Sequence, residues 1–186
     1  TITGAVTVTG GDAALTISPA LATSPADNAA VTFLSTDRSA GGKHRFVRYN
    51  FTGTSRIVGV DGTNAPFSYD GTTFTVLDEA PTDVLGADHV AEFKSHLFFA
   101  KDNQLTFTAP YTDSDFSAAN GAGVITIPHR ITGLIVFREQ LIIFSTSKIH
   151  RLVGNTISDF TLQPISLDIG CVREDTIQEV GGDIAF

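Results

Sequence analysis

Apolar residues along this chain alternate with polar ones or form short runs of β-branched and aromatic residues. Examples are HRFVRYNF, QLTFTA, GLIVF and QLIIFS, and turn formers such as DGTN, KDN and GNT separate these segments. Alternation of this kind, bounded by Gly, Asn and Asp, is typical of short antiparallel β-strands. The pattern therefore predicts an all-β fold with at most a turn or two of helix.

The second feature of the chain is an internal repeat. The segment that begins EFKSHLFFAKDNQLTF aligns without a gap on the segment that begins VFREQLIIFSTSKIHRL. The alignment places Phe93 on Phe137, Lys94 on Arg138, Leu97 on Leu141, Asp115 on Asp159 and Phe116 on Phe160, a constant offset of 44 residues. A looser copy precedes them, with Ile57 on Leu97, and GGDIAF resembles the opening of another.

A period of this length, with several short strands in each unit, is the spacing of β-propeller blades. The sequence therefore predicts a partial, propeller-like array of antiparallel blades over residues 41–186. The blades are expected at about residues 43–80, 88–120 and 132–166, with another starting near residue 178. Residues 1–40 do not fit the period, and we expect a separate small β segment with a linker there.

Charge and composition narrow the range of functions. The formal charge of −8 and the pI of about 4.9 argue against a nucleic-acid-binding surface, since phosphate affinity comes from clustered Lys and Arg. The single Cys171 excludes an internal disulfide framework and a thiolate zinc site. No apolar run is long enough to span a bilayer, so no membrane insertion is expected. The chain has no Met, and we expect it to be a piece of a longer polypeptide.

The residues that could carry chemistry do not form recognisable sites. The five histidines are scattered, and His150 in KIHRLV is expected on the polar side of its strand. Asp113 and Asp115 resemble the start of a calcium loop but lack its later Glu, so turn and strand-end hydrogen bonding is the favoured interpretation. We therefore predict no catalytic, cofactor-binding or metal-binding residue, and no enzyme activity.

One further segment, SYDGTTF, nearly matches the Asp-box hairpin of sialidase-type propellers. Gly71 follows Asp70 directly, so the match fails at the turn, and a type I′ turn at Asp70-Gly71 explains the segment. Nucleophile-elbow, Walker-type and dinucleotide-binding patterns do not occur in the sequence.

Several segments resemble a known family. DFSAANGAG, ITGLIVFREQLIIFS, the DIGC turn at residues 168–171 and the closing VGGDIAF are similar to segments of the propeller region of tail nozzle proteins of short-tailed bacteriophages, also called tail tubular protein B. HRFVRYNF and GVDGTNAPFSYDG resemble the preceding blade. The resemblance covers about residues 44–186 and rests on structural rather than catalytic motifs.

The resemblance implies a structural protein of the virion. Such a protein forms a homo-oligomer, a hexameric ring on the tail adaptor protein, and carries tail fibres. The viral DNA leaves through the ring during ejection without specific binding. Two alternatives stay open: a receptor- or carbohydrate-binding propeller of a tail fibre or adhesin, and a propeller glycoside hydrolase. The lack of Trp and the presence of only three Tyr argue mildly against carbohydrate binding.

The repeat also assigns roles to its landmark residues. Phe116 and Phe160 are expected to fill equivalent hydrophobic positions, and Asp115 and Asp159 to fix the turn before the last strand. The copies differ after this point, with SAANGAG in one and TLQPISL in the other. We expect a contact with a neighbouring subunit where they differ.

Overall fold

The fold is given by a computed structural model, which describes residues 38–39, 42–51 and 53–186. All structural statements below concern these residues. The small β segment predicted for residues 1–40 lies outside them, apart from residues 38–39.

The described residues form short strands with two single-turn 3-10 helices. The strands are β1 (Arg45–Tyr49), β2 (Arg56–Val60), β3 (Phe67–Tyr69), β4 (Phe74–Val76), β5 (His89–Phe93), β6 (His96–Lys101), β7 (Gln104–Phe107), β8 (Gly123–Thr126), β9 (Ile131–Phe137), β10 (Gln140–Ser145), β11 (Ile149–Val153), β12 (Thr161–Ser166), β13 (Gln178–Val180) and β14 (Asp183–Ala185). The 3-10 helices are η1 (Ala118–Asn120) and η2 (Glu174–Thr176). The predicted all-β class is confirmed.

These strands form four antiparallel sheets in which each strand pairs with its neighbours in sequence. The first sheet has the order β1-β2-β3-β4, the second β5-β6-β7-β8, the third β12-β11-β10-β9, and the fourth consists of β13 and β14. The sheet count differs from the predicted three blades and an opening strand, because the last described residues pair with each other as a separate hairpin.

The first two strands of the second, third and fourth sheets are joined by two-residue turns, which we call the tips. The tips are Lys94-Ser95, Arg138-Glu139 and Gly181-Gly182, and all six residues have left-handed backbone angles. This geometry belongs to the type I′ turn, whose twist matches that of antiparallel strands. The tips recur at corresponding positions of the repeat, so the repeat extends into the fourth sheet.

The type I′ turn predicted at Asp70-Gly71 is wrong. Tyr69 pairs with Phe74, so the loop has four residues, and among them only Gly71 has a left-handed angle, with φ of 98°. The Asp70 carboxylate accepts hydrogen bonds from the amides of Thr72 and Thr73, at 2.9 and 2.7 Å. This side-chain bonding favours the longer loop.

The hydrophobic core lies between successive sheets. On β6, Leu97 and Phe99 join the core shared with the first sheet, while Phe98 and Ala100 join the core shared with the third. On β10, the corresponding Leu141 and Ile143 face the second sheet, and Ile142 and Phe144 face the fourth. Because both faces of these strands are buried, their apolar runs are continuous rather than alternating.

The same two-sided burial overturns the prediction for His150. This residue was expected on the polar side of its strand, but it is buried in β11, opposite Ile143 of β10. The third sheet has no polar side at this position because the second sheet packs against it. Burial is the main cause that lowers the pKa of His150, and nearby Lys148 and His129 lower this pKa further. The ring is therefore held neutral.

Candidate functional site: contacts that join successive sheets

The repeated phenylalanines pack toward the preceding sheet. Phe116 packs against the core between the first and second sheets, with its ring 5.9 Å from that of Phe99. Phe160 packs against the core between the second and third sheets, 5.5 Å from Phe107 and 5.7 Å from Phe98. Phe160 thus attaches the loop before β12 to the second sheet, whereas the ring contact of Phe116 lies within its own sheet, beside the core shared with the first sheet.

The other hydrophobic landmarks lie at the tips and in the middle strands. Phe93 ends β5 and Phe137 ends β9, each directly before a tip, while Leu97 and Leu141 are fully buried one residue into the following strand. The side chains of Lys94 and Arg138 lie over the rings of Phe93 and Phe137, at 5.7 and 4.9 Å from the ring centres. The cation-over-ring contact therefore repeats with the sequence.

The two landmark aspartates make different hydrogen bonds. Asp159 accepts from the backbone amides of Asn155 and Thr156, which precede it, at 3.0 and 2.7 Å. Asp115 accepts instead from residues that follow it, the amide of Ser117 at 2.8 Å and the side chain of Asn120 at 2.7 Å. Both carboxylates therefore fix the backbone close to them in sequence. Asp159 fixes the residues before it, whereas Asp115 fixes the residues after it.

Asp113 does not serve the turn in which it lies, contrary to the sequence-based interpretation. Its carboxylate accepts a hydrogen bond from the Tyr49 hydroxyl at 2.5 Å and one from Arg56 at 3.2 Å. Both partners belong to the first sheet, so Asp113 joins the first and second sheets. Burial, followed by the nearby Asp113 carboxylate, raises the pKa of Tyr49 well above its usual range.

Ion pairs also join neighbouring tips. Lys94 of the second sheet pairs with Glu139 of the third, and Arg138 of the third sheet donates to the Gly182 carbonyl at 2.5 Å in the fourth. Arg138 also lies 3.7 Å from the Asp183 carboxylate. A basic residue at the tip of one sheet therefore pairs with a carboxylate of the next sheet in both cases. These carboxylates are largely exposed, so the pairs contribute little to stability.

At the opposite end of these strands, one carboxylate contacts two sheets. Glu174 in η2 forms an ion pair with Arg45, the first residue of β1, and lies 3.1 Å from Nδ1 of His89, the first residue of β5. Arg45 also donates to the Asp88 carbonyl at 2.9 Å. We call Arg45, His89 and Glu174 the Glu174 cluster. It lines a cleft of about 520 Å³ together with Lys43, Arg130 and Asp175.

The electrostatics of this cluster favour the ionised carboxylate. Burial acts to raise the pKa of Glu174, but His89 and Arg45 outweigh it and hold the pKa below its usual value. His89 Nδ1 is buried and, within the described structure, makes no hydrogen bond, although the Glu174 carboxylate lies 3.1 Å from it.

The segment that carries Glu174 is anchored on the third sheet. Cys171 is buried, its amide donates to the Ser145 carbonyl at 2.9 Å, and its thiol lies 2.9 Å from the Arg173 carbonyl. Ile177 packs onto β9 at Gly133, where a Cβ would lie 2.5 Å from the Ile177 Cδ1 atom. Residues 171–177 therefore contact the first three sheets.

Sequence reasoning missed this cluster. Arg45 and His89 occupy corresponding positions, since Arg45 pairs with Val60 and His89 with Ala100 at the matching ends of their strands. That correspondence could have indicated that Arg45 and His89 contact the same residue. Glu174 could not be found in this way, because it lies 129 residues from Arg45 in a segment outside the repeat.

These contacts join one sheet to the next. Within the part of the chain that the structure describes, no three His, Cys, Asp or Glu side chains are grouped as metal ligands would be. No helix among the same residues is long and apolar enough to cross a membrane. Comparison of the sequence with protein-family models and with curated proteins gave no match.

Proposed function

We propose that this chain is a structural component of a bacteriophage tail, part of the nozzle through which the genome is ejected, and that its sheets are successive blades of a propeller-like array. Two observations support the blade arrangement: the repeated strand order and the cores between successive sheets. Propeller blades are four-stranded sheets with this strand order.

The observation that carries the proposal is where the family-like segments lie. ITGLIVFREQLIIFS forms β9, a tip and β10, and VGGDIAF forms the tip and last strand of the fourth sheet. The DIGC turn ends at Cys171, which anchors the segment bearing Glu174. Each segment makes contacts between sheets. A channel wall needs such contacts, because it must keep its shape while DNA passes.

The charge of the chain is compatible with this role. With a net charge of −8, the chain repels the phosphate backbone, and an acidic wall lets DNA pass without adhering to it. In this proposal the protein binds its own copies, the tail adaptor and the fibres, and it makes no specific contact with the genome.

The region after Phe160 is our candidate for the contact between subunits. In the copy that reads TLQPISL, Ile165 and Leu167 are exposed, and Ile169 follows them with its side chain also exposed. The corresponding SAANGAG segment forms the exposed helix η1 and contributes small residues. Several exposed apolar side chains within one short segment are typical of surfaces that become buried in an assembly.

The proposal is tested by native mass spectrometry of the protein with and without an Ile165→Asp, Leu167→Asp double substitution. We expect hexamers, or assembly on the adaptor ring, from the parent protein and a shift to monomers in the variant. Val180→Asp places a charge on an exposed residue of β13 and serves as the matched control. A parent protein that stays monomeric and never joins the adaptor contradicts the proposal.

A further inference from the structure

Tyr111 adopts a backbone conformation that is unfavourable for a large side chain. Its φ is 63°, in the left-handed region, and its amide donates to the Ser95 carbonyl at 2.8 Å. Yet the side chain is 63% exposed, the most exposed of the three tyrosines. Core packing therefore does not explain why an aromatic residue occupies this position, and strain of this kind clusters at binding sites.

The ring of Tyr111 is supported by other aromatic rings. Phe51, two residues after the end of β1, lies edge-on to it at 6.4 Å between ring centres, and Phe51 in turn packs 4.7 Å from Tyr49. The Tyr49 hydroxyl is fixed by Asp113. The three rings thus form a supported platform whose outermost member faces solvent.

Polar groups line a cleft of about 370 Å³ on one side of this platform. They are Arg48, Asn50, Glu92 and Ser95. Arg48 uses its Nε to bond Ser55, and Glu92 uses Oε1 to accept from the Ser95 amide, which orients both side chains. Among the described residues, the Asn50 amide and the Tyr111 hydroxyl have no hydrogen-bond partner, so both can bind a ligand.

A second cleft of about 220 Å³ lies on the other side of Tyr111, toward the third sheet. Its lining includes Lys94, Pro110, Asn155 and Ile157. Tyr111 therefore stands between two clefts, and a ligand that uses both must be an extended molecule that crosses the ring.

We infer that this surface is an oligosaccharide-binding site, with Tyr111 as the platform on which a pyranose ring stacks. The apolar face of a sugar ring fits an exposed aromatic ring, and its hydroxyls fit the amide, carboxylate and guanidinium groups beside it. Arg48 and Glu92 balance each other in charge in the first cleft, and Lys94 beside the second is paired with Glu139, so the ligand class is a neutral glycan of two or more units. The inference is independent of ring assembly, because every residue involved belongs to one chain.

The test is binding of the whole protein to an array of neutral bacterial-surface oligosaccharides. We expect binding to at least one neutral glycan, and Tyr111→Ala and Tyr111→Gly to weaken it by about tenfold or more, as expected for loss of one stacking ring. Tyr111→Phe keeps the ring and should retain most of the affinity. Phe46→Ala removes an exposed aromatic side chain of the first sheet outside both clefts and should leave binding unchanged.

Folding of the variants is monitored separately by thermal unfolding. Since glycine accepts the left-handed angle without strain, Tyr111→Gly should unfold at the same temperature as the parent or higher. Loss of glycan binding in this variant then cannot be due to misfolding. The inference is overturned if the parent protein binds no glycan on the array, or if Tyr111→Gly binds as tightly as the parent.

Discussion

Arg45 at the start of the first sheet and Glu174 after the third form an ion pair across 129 positions of sequence. His89 at the start of the second sheet lies beside the same carboxylate. The ends of the first two sheets are therefore tied to a segment that is anchored on the third. This cluster and the tips lie at opposite ends of the strands.

The first prediction concerns the Glu174 carboxylate. Glu174→Gln should lower the free energy of unfolding by about 1 to 3 kcal/mol, because the part-buried Arg45 guanidinium loses the carboxylate charge with which it pairs. Chemical denaturation measures this difference. Glu179→Gln removes a carboxylate from the exposed strand β13 and serves as the control. Equal effects from the two substitutions would show that the cluster does not stabilise the fold.

The second prediction is a dependence of stability on pH. The pKa of Glu174 is lower in the folded chain than its ordinary value of 4.5, so the folded state favours the ionised form. Its contribution is complete above about pH 4.5 and is lost as the pH falls through the lowered folded value. Thermal unfolding is measured from pH 6 to pH 3. The unfolding temperature should fall less over this range in Glu174→Gln than in the parent. If the unfolding temperature falls equally in both proteins, the loss of stability at low pH is due to other carboxylates.

The third prediction concerns Phe160. Phe160→Ala should cost about 3 kcal/mol, at the low end of the 3 to 5 kcal/mol typical of phenylalanine truncation, because the ring is only partly buried. Phe46→Ala, at an exposed ring of the first sheet, should cost far less. Urea denaturation compares the two variants. A similar cost for both would mean that Phe160 does not hold the third sheet to the second.

The fourth prediction replaces an expectation from sequence. Sequence alone predicts a mild effect for Asp113→Ala, whereas the structure predicts a loss of about 1 to 3 kcal/mol, because the Tyr49 hydroxyl and Arg56 lose their acceptor. Asp78→Ala removes an exposed carboxylate that lines one cleft together with Asp113, and it provides the comparison. Calorimetry that finds both variants unchanged would support the milder expectation.

The features that could be predicted from the sequence are the strands and the positions that correspond between copies of the repeat. Alternation and turn residues indicated antiparallel strands, and the 44-residue offset placed Phe116 and Phe160 at positions that the structure finds packed toward the preceding sheet. These features depend on local pattern and on equivalence between copies. For the same reason, the tip turns of the second and third sheets recur at the same offset.

The sequence could not predict contacts that depend on how sheets stack. His150 was placed on a polar face because alternation cannot show that both faces of a sheet are covered. Asp113 was assigned to its own turn because its partners, Tyr49 and Arg56, lie in another sheet. Glu174 has no counterpart in the repeat, so only the three-dimensional arrangement shows its role.

The most direct measurement is electron microscopy of the purified protein, alone and mixed with the tail adaptor ring, read for rotational symmetry. The proposed nozzle function predicts a ring with sixfold symmetry and a central opening, in which each subunit contains a propeller-like domain. Isolated monomers under both conditions, or a ring of a different order, would contradict it.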